Sequence, residues 1–75
     1  MDVVATCNGR TTRYDTDEFD RRQIAALHAI KHGDRDDTRD GFDISGIVVV
    51  TDDEHEGISE SFEISIAISA ERINH

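Results

Sequence analysis

The sequence predicts an α+β domain of order ββαββ, a four-stranded antiparallel sheet with one helix packed on one face. Three observations predict it. The branched aliphatic residues are Ile and Val with a lone Leu27, a usage that favours strands. Two long segments near the C-terminus alternate apolar with polar residues. Between them and a first hairpin lies one stretch with helical spacing, bounded by acidic residues and Gly33. At 75 residues, the chain has room for a single small domain, 1–75.

Residues 2–15 read as a hairpin. Val3 to Cys7 and Arg10 to Tyr14 flank Asn8-Gly9, the preferred pair for a two-residue type I′ turn. That register sets Val3 opposite Tyr14, Ala5 opposite Thr12 and Cys7 near Arg10, and this set is the expected core face. Thr16 or Asp17 is the expected helix cap, with Asp17, Glu18 and Asp20 around its positive end. The helix should run to Lys31 or His32, with Gly33 as a left-handed residue after it. Phe19, Gln23, Ala26, Leu27 and Ile30 fall on one side, with Ile24 and Ala29 at its margins. Residues 34–41, DRDDTRDG, contain nothing apolar and read as a loop.

Two strands follow. Phe42, Ile44, Gly46, Val48 and Val50 alternate with Asp43, Ser45, Ile47, Val49 and Thr51, and Phe62, Ile64, Ile66 and Ile68 with Ser61, Glu63, Ser65, Ala67 and Ser69, with a turn within residues 52–57. Pairing Val48 with Phe62 and Ile44 with Ile66 keeps the apolar faces together; a slip of one residue would expose them. The opposite sheet face is rich in Ser, Thr and Glu, but Ile47 and Val49 sit in its middle. Either that face packs on another subunit, or the strand is central and simply β-rich. Ser65 and Ala67 belong to a row small enough for a second sheet to approach. A long apolar-faced strand at a sheet edge also invites pairing with another chain. Ile73, isolated among polar residues, is a further candidate anchor onto a neighbour, with a frayed terminus as the plainer reading.

Seventeen Asp and Glu against eight Lys and Arg give a net charge of −9. Such a field repels phosphate backbones and argues against nucleic acid as a partner. The longest apolar run, Ile47 to Val50, is far short of a membrane span, and no signal-peptide core opens the chain. Cys7, the sole cysteine, excludes an internal disulfide and suits a reducing compartment. The carboxylates run from Asp2 to Glu71 rather than in a tail, and Lys31 is the one lysine. This even acidic coat resembles the proteins of salt-in halophilic archaea, where concentrated salt screens self-repulsion. The competing readings are an acidic partner for a basic surface and a mimic of DNA, which both favour charge gathered on one face.

Candidate chemistry is sparse. His28 and His32 stand four apart, a spacing at which two imidazoles can share a metal. They would need further ligands such as His55, His75 or a carboxylate, and no Glu beside the first His completes a metalloprotease helix. Asp36, Thr38, Asp40 and Gly41 follow the opening of a calcium loop, but its twelfth position would be Ile47, which has no carboxylate to give. The acidic turn between the last two strands attracts cations without forming a dedicated site. Cys7 has little to lower its pKa in a negative field and reads as a small packed residue. Arg10, Arg13, Arg21, Arg22, Arg35 and Arg39 each have acidic neighbours and read as surface ion pairs.

No phosphate loop, nucleophile elbow, CxxC pair or dinucleotide fingerprint occurs. The expectation is therefore a non-enzymatic interaction or structural subunit without a cofactor, a homo-oligomer or part of a larger assembly. It would serve in the cytoplasm or virion of a halophilic host or its virus. A metal- or ligand-binding protein using His28 and His32 is the rival from another class.

Overall fold

A computed structural model describes residues 2–15, 17–52 and 58–69. Asn8 and Gly9 both take positive φ, 52° and 75°, as a type I′ turn requires. They join strand β1 (Asp2–Cys7) to β2 (Arg10–Asp15) in the expected register, with Val3 opposite Tyr14, Ala5 opposite Thr12 and Cys7 opposite Arg10. Val3, Ala5 and Cys7 are buried, so the core face of this hairpin is the expected one.

The helix α1 (Arg21–His32) starts later than Thr16 or Asp17 would place it. Asp20 is its cap: the Asp20 carboxylate accepts from the Gln23 backbone N–H at 2.8 Å, and the Gln23 side chain accepts from the Asp20 N–H at 2.9 Å. This reciprocal capping box satisfies two N–H groups that have no partner within the helix. Thr16 lies outside the described residues. Gly33 ends the helix in an extended conformation (φ −72°, ψ 171°), not the left-handed one.

The strand β3 (Asp34–Thr38) replaces the expected loop, so among the described residues the sheet has five strands rather than four. Its five side chains are all exposed. Arg39 and Asp40 turn it back onto β4 (Gly41–Asp52), with Asp34 opposite Ser45 and Thr38 opposite Gly41. Nothing apolar is buried by β3 itself; backbone pairing, an Arg35–Asp37 contact at 3.1 Å and the Arg35 guanidinium 3.9 Å over the Phe42 ring hold it.

β4 is the axis of the sheet. β5 (Ser59–Ser69) pairs with it from Gly41 to Thr51, in the expected register of Ile44 with Ile66 and Val48 with Phe62. The opposite edge of β4 is shared end to end: β1 pairs with Val49–Asp52 and β3 with Gly41–Ser45. The sheet is antiparallel at every pairing, and α1 packs across β1 and β4 on one face. The protein is thus an α+β fold with one helix on an antiparallel sheet.

The core between helix and sheet contains Val3, Ala5, Cys7, Ile24, Ala25, Ala29, Ile44, Val48, Val50 and Ile64. The buried side of α1 is therefore Ile24, Ala25, His28 and Ala29, not the expected side. Phe19 before the helix is 40% exposed, Leu27 37% and Ile30 48%. Small residues explain the inversion. Ala25 and Ala29 allow the helix to lie close on the sheet, and Gly33 continues that approach. A Cβ on Gly33 would stand 2.5 Å from the Ala29 carbonyl oxygen and 3.0 Å from Ile44 Cγ2. Gly46 similarly admits Cys7 Sγ, which would lie 3.2 Å from an added Cβ.

Candidate functional site

The face of the sheet turned away from α1 bears the residues singled out for association. β4 places Ile47 and Val49 there, and β5 adds Ser65 and Ala67, because neighbours two apart along a strand point the same way. Cross-strand pairing sets Val49 beside Ser61, Ile47 beside Glu63, Ser45 beside Ser65 and Asp43 beside Ala67. Ile47 is 64% exposed, Val49 is half-buried, and Ser65 and Ala67 are exposed. No described helix or strand covers this face. Its remaining surface is hydroxyl-rich: Thr6 and Thr11 meet at 3.0 Å, and Thr51 and Ser59 at 2.9 Å. Ile73 lies outside the described residues.

A second uncovered apolar surface is the outer side of α1. At about 100° per residue, Gln23 and Ile30 point opposite the buried stripe, with Ala26 and Leu27 beside them. The sequence pattern found this side but assigned it to the core.

His28 and His32 share the helix side nearest β2, their ring centroids 4.8 Å apart. His28 is fully buried, and both its nitrogens are engaged. Nε2 lies 2.8 Å from the Arg10 carbonyl oxygen, which can only accept, so Nε2 carries the hydrogen. Nδ1 then accepts from the Tyr14 hydroxyl at 2.9 Å. A metal at Nδ1 would have to displace Tyr14. Among the described residues, no group of three or more His, Cys, Asp or Glu is placed to hold a metal ion. Asp36 and Asp40 are among those residues, whereas His55 and His75 lie outside them. Burial lowers the pKa of His32, and the neighbouring His28, Arg10 and Lys31 lower it further.

Cys7 is buried at the end of β1, its thiol facing the His32 carbonyl at 3.9 Å. Burial raises its pKa, and the negative charge of Asp34 adds to the rise, so at neutral pH it is a protonated thiol. Arg21 reaches from the helix start to Asp52 at 2.7 Å and Glu60 at 3.6 Å. These contacts raise its pKa, the Asp52 hydrogen bond most. The Asp52 carboxylate is 5% exposed, so this pair ties the helix to the end of β4 in partial shelter from solvent.

Among the described residues, no helix is long and apolar enough to cross a membrane. Comparison with protein-family models, curated proteins and solved structures finds no match to this chain.

Proposed function

We propose that this protein is a non-enzymatic structural or interaction subunit that associates with itself in concentrated salt. The observation that supports it is Ile47, 64% exposed in the middle of a sheet face that no described element covers. Ile30 and Leu27 on the outer side of α1 add a second apolar surface. A domain this small gains stability from burying such surface against a partner. The acid-rich composition fits a cytoplasm or virion bathed in molar salt, where the repulsion between copies is screened.

The test is mass by light scattering on the purified chain in molar KCl. A defined oligomer is expected. A strict monomer at high protein concentration overturns the reading.

A further inference from the structure

We infer that two copies of this chain join edge to edge through β5, in one antiparallel register centred on Ser65. The inference rests on the self-association just proposed and assigns its contact to a strand edge, beside the face that bears Ile47. Among the described strands the sheet has three free edges. β2 pairs with β1 alone, while β3 and β5 each pair with β4 alone among the described strands. An open strand edge is a template for another strand, and proteins commonly blunt it with charge or by keeping it short. β3 has five residues, of which Asp34, Arg35, Asp36 and Asp37 are charged. β2 carries Arg10, Arg13 and Asp15. β5 is longer, at 11 residues, and its charges, Glu60 and Glu63, are confined to its first half. From Ile64 to Ser69 no charge protects the edge.

The choice of occupant follows from register. A two-fold axis normal to the sheet sets each residue of β5 opposite a residue of the second copy on the same face. With the axis at Ser65, Phe62 faces Ile68 of the second copy and Ile64 faces Ile66. Glu63 then faces Ala67, and Ser65 faces itself. Phe62, Ile64, Ile66 and Ile68 each meet a large apolar residue, and no carboxylate meets a carboxylate. Moving the axis to Ile64 sets Glu60 against Ile68. Moving it to Glu63 sets two carboxylates directly opposite each other, which is destabilising. Moving it to Ile66 shortens the ladder and leaves Phe62 without an apolar residue of β5 opposite it. Phe62, Ile66 and Ile68 are each half-buried in the single chain, and the second strand would cover that flank. β5 therefore complements itself in one register, and the occupant is a second copy of this chain.

Cysteine cross-linking reads that register. In a Cys7→Ala background at molar KCl, Ser65→Cys is expected to form a covalent dimer under mild oxidation, because residues directly opposite lie within disulfide reach. Ser61→Cys alone should not, since the two copies of Ser61 would stand roughly 27 Å apart along the strands. Mixing Ser61→Cys with Ser69→Cys should restore the cross-link. Ser65→Glu, at an exposed position, should retain the folded circular-dichroism spectrum and weaken the dimer at least tenfold. An oligomer that neither cross-links at Ser65 nor responds to Ser65→Glu overturns the β5 assignment and leaves self-association standing. A mass that grows without limit with concentration also overturns it, since a two-fold interface closes at two. A wild-type chain that is monomeric throughout overturns both readings.

Discussion

His28 is a histidine serving as a core residue. Its imidazole fills the space beneath α1 and links the helix to β2 at two points, the Arg10 carbonyl and the Tyr14 hydroxyl. The ring of Tyr14 stands edge-on to it, with centroids 5.8 Å apart, and Lys31 Nζ lies 5.9 Å over the Tyr14 ring. Tyr14→Phe retains the ring but leaves Nδ1 of a buried imidazole without its donor, at a cost of about 1–2 kcal/mol. His28→Ala removes both hydrogen bonds and leaves a cavity, at a cost of about 3 kcal/mol. Denaturant unfolding of the two single variants and the double variant measures this. Because Tyr14 acts largely through His28, the double variant should cost less than the sum of the two. Strict additivity would mean that the hydrogen bond contributes nothing.

At the scale of elements, the join between α1 and β4 depends on the absence of a side chain at Gly33. Since its backbone is extended rather than left-handed, the need for glycine is steric. Gly33→Ala should cost about 1–3 kcal/mol through displacement of the helix end from Ile44. Gly9→Ala makes the useful contrast, because an added Cβ there meets open space and the cost, about 1 kcal/mol, comes from positive φ alone. Equal losses for both, measured by thermal unfolding, would remove the steric account. Gly33 also marks where the sequence was hard to read. Counting large apolar residues favours Leu27 and Ile30, whereas close approach to a sheet favours Ala25 and Ala29, and the second requirement prevailed. β3 was illegible for a related reason: a strand with no buried side chain has no alternation of polarity to see. Its pairing is set by the turn at Arg39 and Asp40 and by the edge of β4 that β1 leaves open. The two longer hairpins were legible down to register, since Asn8-Gly9 fixes one and the matched apolar rows of β4 and β5 fix the other. The site was legible in part. Ile47 and Val49 stand out in sequence as apolar residues on a polar face, but β5's lone status among the free edges depends on knowing that β3 exists and is charged.

For the whole molecule, charge and association pull in opposite directions. Each copy carries −9, and joining two copies brings like charges together while burying apolar surface from both. Screening decides the balance: the Debye length is about 30 Å in 10 mM salt and about 3 Å in 1 M salt. In dilute salt, carboxylates across the whole domain repel one another and those of a second copy. In molar salt, only near neighbours interact, and the apolar contribution of the β5 row remains. KCl should therefore raise both the thermal unfolding midpoint of the chain and the fraction of dimer, with the steepest change below about 0.5 M, where the Debye length falls to a few ångströms. A salting-out effect on apolar surface would instead continue to rise into the molar range and would follow the anion series, strongest for sulfate. Titrating KCl while recording unfolding and mass on the same samples separates these causes. A midpoint indifferent to salt between 10 mM and 2 M KCl would remove the brine-adapted reading of the charge. A midpoint that rises while mass stays that of one chain would assign the carboxylates to folding alone.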